Sequence, residues 1–292
     1  MNGNLSKKYT AFDFILIAIL GLFALSIIYP FYNAVLVSLV PMRDYLLSPF
    51  MLFPTHVIWD SYKFVFHSRL IWAGFSNSVI IMVAGTAYNM FLTVMCSYAL
   101  TKPFPGRKFI RLYIIFTMYF SGGVIPYYLL MRSLHLVDTL SVMFIPSGIG
   151  ILYMIILQNY FQSIPSSLEE SAKMDGAGDF TVLLRIILPL SLPLLATFTL
   201  YYAVERWNEW YHGMLFIKTP LKLPLQMVLR KIIMDAQFLA QNFVPGTVAK
   251  PDTYAESIKM AAIVVTMFPI MMLYPFLQRY FLTGLTLGGV KE

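Results

Sequence analysis

Six stretches of the sequence, roughly residues 12–39, 74–100, 109–131, 140–161, 187–216 and 258–282, stay apolar long enough to cross a bilayer as helices. The hydrocarbon core takes about 20 helical residues. Inside it the backbone finds no water to bond, so only helices or closed barrels span it. Composition agrees, because 59% of the 292 residues are hydrophobic, 12% are charged and the mean hydropathy is +0.71. An ordinary soluble domain carries about 25% charged residues. The sequence therefore predicts an all-α integral membrane protein with six transmembrane helices. Pro30, Pro126, Pro146 and Pro269 fall inside the runs and mark expected kinks, since membrane helices accept proline where neighbours take up the freed carbonyl.

The first run, Phe14 to Val40, is too long for a signal-peptide core and has no small-x-small cleavage site after it, so it reads as an uncleaved first helix. The net charge of +7 and pI of about 9.3 reflect basic loops facing anionic lipid, with no nucleic-acid partner implied. Basic residues divide almost evenly between the two sides. The Lys7–Lys8 pair and the clustered "TKPFPGRKFIR" loop (Thr101–Arg111) place both termini in the cytoplasm. Cys96 is the only cysteine and reads as a small buried hydrophobe, since one thiol builds neither an internal disulfide nor a cysteine metal site.

The loops differ in character. Pro41–Ala73 is long and aromatic and resembles interfacial helices; Arg132–Leu140 is short and nearly neutral. The longest loop, about Ile217–Ser257, carries Leu223, Met227, Arg230–Lys231 and Met234 in the pattern of an amphipathic helix. No internal repeat or linker interrupts what reads as one membrane domain.

Signatures of chemistry are missing. The sequence contains no GxxxxGK[ST], HExxH or GxSxG motif, and His56, His67, His135 and His212 are scattered. The reading is a pathway with no catalytic residue, no metal site and no cofactor of its own.

The exception to lipid solubility is "SIPSSLEESAKMDGAGDFTVLLRIILPLSLP", Ser163–Pro193. Ser166-x-x-Glu169 and Ser167-x-x-Glu170 overlap as capping boxes behind Pro165, and Gly176 after Asp175 signals a stop. Asp179 is placed to cap the next helix, and Pro189 and Pro193 to bend the chain back into the bilayer. So short a helix is unstable alone. It needs a surface to pack on, although an ordinary connector between two membrane helices has the same features.

The spacing Glu170-Ser171-Ala172, three residues, Gly176, nine residues, Ile186-Ile187-Leu188-Pro189 resembles the EAA loop of ABC-importer permeases, with Ser171 in place of the middle alanine. "ERWNEWYHGMLFI" (Glu205–Ile217) and "LQRYFLTGLTLGGVKE" (Leu277–Glu292) resemble the second permease subunit of maltose-type carbohydrate importers, and the likeness runs from about Gly74 to the end. The resemblance implies a type I ABC-importer permease fold: a first helix and outer loop over 1–73, a core over 74–282 with the EAA loop at 163–193, and a cytoplasmic tail over 283–292. It implies that the loop is a coupling helix docking an ATPase through Glu169, Glu170, Ala172, Asp175 and Gly176. The implied partners are a homologous first permease, two ATPase subunits that carry the ATP and magnesium, and a periplasmic or extracellular solute-binding protein. The implied cargo is an oligosaccharide, and the implied location is the bacterial cytoplasmic membrane.

Polar groups inside membrane helices are costly, so their grouping is informative. Thr86, Asn89, Thr93 and Ser97 recur on one face of the second run and read as interhelical hydrogen bonds. Tyr201, Glu205 and Asn208, with Glu209 and Trp210 beside them, read either as a saccharide path or as an interfacial aromatic belt. Glu205 and Glu209, four apart, would repel unless Arg206 or His212 compensates. A permease for amino acids or ions is the other reading within the importer class. A secondary transporter would need an inverted repeat, which the sequence lacks.

Overall fold

The computed structural model describes residues 10–47, 51–54, 56–241 and 255–286, and every regular element among them is helical. In chain order these are α1 (Ala11–Leu39), α2 (Met42–Leu47), α3 (Asp60–His67), α4 (Arg69–Ala99), α5 (Arg107–Tyr119), α6 (Val124–Ser133) and α7 (Ile151–Ser163). There follow α8 (Ser166–Met174), α9 (Asp179–Val182), α10 (Leu188–Leu190), α11 (Leu192–Trp207), α12 (Tyr211–Phe216), α13 (Leu225–Gln241) and α14 (Ala255–Thr286). The chain divides into two compact units, residues 1–68 with 231–267, and residues 69–230 with 268–292.

In the first unit α1 is apolar on every side, with a mean hydropathy of 2.6 over its most apolar window and none of that window buried. A helix apolar all round belongs in lipid or in a large core. Pro30 lies inside α1 without ending it. Ser38 at its far end shares a 2.7 Å bond with Tyr62 of α3, and Ile58 donates to the Leu39 carbonyl. The aromatic segment after Pro41 therefore contains two short helices, and the next long helix starts at Arg69, earlier than its apolar run.

In the second unit α4 packs against α7 and α11. The core joins Tyr98, Leu157, Phe161, Val182, Leu183, Ile187 and Phe198. Three residues of the polar stripe of α4 bond neighbouring elements as expected, while the buried Thr86 hydroxyl finds no partner among the described residues. Asn89 donates to the Gly148 carbonyl at 2.9 Å, Thr93 bonds the Tyr202 hydroxyl at 2.6 Å, and Ser97 donates to the Met154 carbonyl at 3.0 Å. Such bonds are worth about 0.6 kcal/mol each in a membrane, enough to fix register among otherwise interchangeable apolar faces.

Three expected spans are not single helices. The third breaks at Phe120–Gly123, where α5 and α6 meet at 119° and Gly123 takes φ +87°. Pro126 lies in the first turn of α6, where a missing N–H costs nothing, and makes no kink there. The fourth is a short 3-10 turn at Leu140–Met143, then irregular chain holding Pro146, then α7. The fifth bends by 85° at Ser191 and is interrupted again at Asn208. Among the described residues two helices, α1 and α4, are long and apolar enough to cross a membrane, or four spans if each bent pair counts as one. The sixth run lies within α14. Residues 287–292 of the tail and the Lys7–Lys8 pair fall outside the described residues.

Loops of this unit are clamped by Asp138, whose φ is +61°. Its carboxylate accepts from the Thr219 and Lys218 amides at 2.9 and 3.0 Å, from the Thr219 hydroxyl and from Lys222. These donors, Thr219 foremost, hold its carboxyl far below the usual range.

Candidate functional site

Pro165, with φ −54°, takes the cap position of α8, so Ser166 and Ser167 enter the helix and the expected capping boxes do not form. The stop is as expected. Gly176 at φ +85° donates to the Lys173 carbonyl at 3.0 Å and Ala177 to the Ala172 carbonyl at 2.9 Å, the paired bonds of a Schellman ending. Gly178 occupies the next cap position, and Asp179 turns to basic side chains without capping.

Two lysines hold this two-and-a-half-turn helix. Lys102, from the loop after α4, bonds Glu169 and lies 3.8 Å from Asp179; Lys173 pairs with Glu169 at 2.8 Å and Asp179 at 3.1 Å. Tyr98 donates to the Asp179 carbonyl at 3.0 Å and lies under the Lys102 ammonium. Ala172 and Ala177 pack inward on the core cluster. Glu170, Asp175 and Gly176 are exposed, and Met174 is 89% exposed.

Partial burial works to raise the Glu169 carboxyl, but the bonds from Lys102 and Lys173 outweigh it and hold it below its ordinary 4.5. Glu169 and Asp179 raise Lys173 in turn. A depressed acid contributes stability above its unfolded pKa and loses it as pH falls through the folded one. The α8 clamp is therefore expected to hold across neutral pH and to open only under acid conditions below the usual carboxylate range. Hydrogen exchange of residues 166–178 should stay slow at pH 6 and 8 relative to a Lys173→Ala variant, and match it at about pH 3. Equal exchange at neutral pH would remove the clamp.

The return into the apolar helices uses wide geometry. Leu188 donates to the Leu183 carbonyl five residues back, a π turn, just before Pro189 removes a donor. At the bend Ser191 bonds the Ile187 carbonyl through both its amide and its buried hydroxyl, and Tyr160 donates to the Leu190 carbonyl at 3.0 Å. The Ile187 and Leu190 carbonyls beside the bend thereby find donors.

The five expected path residues separate into three environments. Tyr201 stacks on Tyr153 at 5.8 Å, and the Tyr153 hydroxyl donates to Glu205 at 2.6 Å. Glu209 lies past the end of α11, so it does not stack over Glu205. It turns inward, where its carboxylate is 3.1 Å from His212 Nδ1 and 3.7 Å from Arg206 Nη1. Arg206 is 5% exposed and donates to the Met143 carbonyl at 2.6 Å, and Tyr127 bonds His212 Nε2 at 2.9 Å. Asn208 and Trp210 stay exposed. Asn208 accepts from Gln226 at 3.3 Å, and the Arg230 guanidinium lies 4.3 Å over the Trp210 ring. Beside the α5–α6 break a cavity of about 490 Å³ is lined by Ser121, Gly122, Gly123, Tyr127 and Tyr211.

Sequence reasoning missed the roles of Lys102, Lys173 and Tyr98 at α8 and of Tyr153 beside the expected path residues, and it placed Arg230 on an amphipathic helix without its partner Trp210. Only Lys173, four residues after Glu169, leaves a local signal.

Residues 93–286 match the model of the binding-protein-dependent transport system inner membrane component family. Over 97% of its length the chain is 38% identical to the polygalacturonan/rhamnogalacturonan transport system permease protein YtcP of Bacillus subtilis (strain 168), covering 99% of that protein. Over 98% of its length it is 39% identical to Protein LplC of the same strain, covering 97% of it. It is also similar to a solved chain of a bacterial ABC transporter involved in the import of the acidic polysaccharide alginate. The TM-score is 0.84 and the identity 32%, with 94% of this chain and 100% of that one covered.

Proposed function

We infer the role of this chain from the family it belongs to, the binding-protein-dependent transport system inner membrane components: it is a transport subunit, the carbohydrate permease of an ABC importer. The observation that carries this reading is the end-to-end likeness to a polygalacturonan/rhamnogalacturonan permease. Polygalacturonan is a polymer of a uronic acid, and the similar solved transporter imports an acidic polysaccharide. By that likeness the cargo is an oligosaccharide carrying carboxylates.

The chain supplies half of the translocation pathway with six spans, the run ending in α7 and the run in α14 joining α1, α4 and the two bent pairs, and both termini lie in the cytoplasm. A homologous permease forms the other half. One of two ATPase subunits docks on α8 through its outward residues Glu170, Met174, Asp175 and Gly176, and a solute-binding protein delivers the sugar on the other side. Glu169 has a different part. Bound to Lys102 after α4, and through Lys173 to Asp179 before α11, it ties α8 to both membrane helices, while Ala172 seats α8 on their shared core. A push on α8 therefore moves packed helices as a body and is not absorbed by a loose loop.

The chain by itself is expected to hydrolyse no ATP. Reconstituted with its partners, ATP hydrolysis should rise several-fold when binding protein loaded with a galacturonate oligomer is added. Loss of the gene should abolish uptake of that oligomer while leaving uptake of free amino acids intact. Unchanged sugar uptake in the deletion strain, or stimulation by an amino acid instead, would overturn the assignment.

A further inference from the structure

We propose that Arg230, stacked on Trp210, is the group that receives the sugar's carboxylate at the far end of the pathway from α8; this rests on the reading above that the cargo is acidic. Position comes first. α11 starts one residue past the Ser191 bend and runs 16 residues, about 24 Å of rise at 1.5 Å per residue. Asn208 and Trp210 therefore lie most of a membrane's depth from the Ser191 bend that follows the coupling helix, where a sugar arriving from outside first meets the chain.

The second argument is charge. Among the described residues Arg230 has no carboxylate at ion-pair distance, whereas the acids nearby are already engaged. Glu209 is held by Arg206 and His212, Glu205 by Tyr153, and Asp138 by Lys222 and the Thr219 and Lys218 amides. Arg206, the other arginine of the region, is buried and bound to the Met143 carbonyl. Arg230 is exposed and is the cation in contact with an expected path residue, Trp210, whereas the exposed Lys218 and Lys231 make no such contact among the described residues.

The third argument is preorganisation. With its Cζ 4.3 Å over the indole, the guanidinium is held against the ring face, and Arg230 is exposed. A planar fork already held in place loses little freedom on gripping a carboxylate with two parallel bonds. Around it stand the other groups that a uronic acid needs. Trp210 is 38% exposed and Tyr211, edge-on to it at 6.1 Å, is 39% exposed, offering apolar surface to a sugar ring. The Asn208–Gln226 amide pair, joined by a long 3.3 Å bond, offers donors and acceptors for hydroxyls. Charge, ring face and hydroxyls thus each find a matching group between the first turns of α13 and the short stretch that follows α11.

The test uses proteoliposomes holding the complete complex, with binding protein loaded with a galacturonate tetrasaccharide, and reads sugar imported per ATP hydrolysed. R230Q is expected to lower that ratio about tenfold, the worth of roughly one charge-assisted bond pair, and R230K to recover part of it. The ratio does not depend on how much complex assembles. A role confined to folding would lower import and hydrolysis together, leave the ratio at the wild-type value and overturn the assignment. A wild-type ratio in R230Q from fully assembled complex overturns it equally. If the wild-type complex imports no galacturonate tetrasaccharide at all, the acidic-cargo reading fails first. If it does and R230Q matches it, only the role of Arg230 fails.

Discussion

If α8 is the docking surface, Gly176→Trp is expected to abolish association with the ATPase subunits while leaving the chain folded in the membrane. A Cβ at this position meets nothing within 4 Å, so the new side chain projects outward without displacing a neighbour. The intrinsic cost is that of a left-handed conformation at φ +85°, about 1–2 kcal/mol for any L-residue. Gly176→Ala carries the same strain with almost no bulk and is expected to retain the complex. The pair separates strain from obstruction. Co-purification of the ATPase subunits from solubilised membranes reads the result. A fully assembled, ATP-hydrolysing complex built on the Gly176→Trp chain would remove α8 from the docking surface. Glu170→Arg, on the same exposed side, is expected to act in the same direction through charge.

The second large effect falls on stability. Glu209→Ala strands Arg206, which is 5% exposed, and removes the acceptor of the His212 amide. Breaking a buried pair by deleting one partner costs about 3–5 kcal/mol, because the remaining charge stays desolvated. Arg206→Met combined with Glu209→Gln is expected to recover much of that loss, since no buried charge is left. Thermal unfolding of the solubilised chain, together with its level in the membrane, measures both. A single variant as stable as the parent would show that water reaches Arg206. Asn208→Ala, next in the chain but exposed, is expected to leave stability unchanged and to slow transport. Adjacent residues of one W-N-E segment thus divide between an inward carboxylate at the helix end and an exposed amide.

The bilayer explains why so much could be read without coordinates. A backbone that must satisfy itself in lipid leaves helices as its solution for an apolar chain, and every regular element among the described residues is helical. The polar stripe of α4 announced partners for Asn89, Thr93 and Ser97 for the same reason, since a hydroxyl or amide in hydrocarbon is costly without one; only Thr86 of the stripe is buried without one among the described residues. Gly176 was legible as a helix stop because glycine takes that backbone conformation without strain. The amphipathic helix α13 was legible from Met227, Arg230 and Met234, although it starts at Leu225.

The misread spans have one cause, and the failed capping boxes another. Hydropathy measures how apolar a run is and is blind to whether the helix inside it is continuous. The run 109–131 stays apolar straight through Ser121–Gly123, yet the two glycines let the chain turn by 119°. The run 187–216 stays apolar through Ser191, where Ser191 and Tyr160 supply the bonds that make a bend of 85° tolerable. The capping boxes failed at α8 because Pro165 took the cap position and left Glu169 to Lys102.

By itself, then, the sequence determined the solvent of this protein, its helical class and the family to which it belongs. These are all properties of local composition and spacing, and lipid admits few alternatives to them. What only the tertiary structure decided is which charges face each other. The Arg206–Glu209 pair, three apart, was legible in the chain. By contrast, Lys102 meets Glu169 across 67 residues, Arg206 turns to the Met143 carbonyl 63 residues away, and Arg230 settles on Trp210. Pairings of this kind depend on where helices bend and pack, and no local pattern in the chain encodes a partner that only the fold brings near.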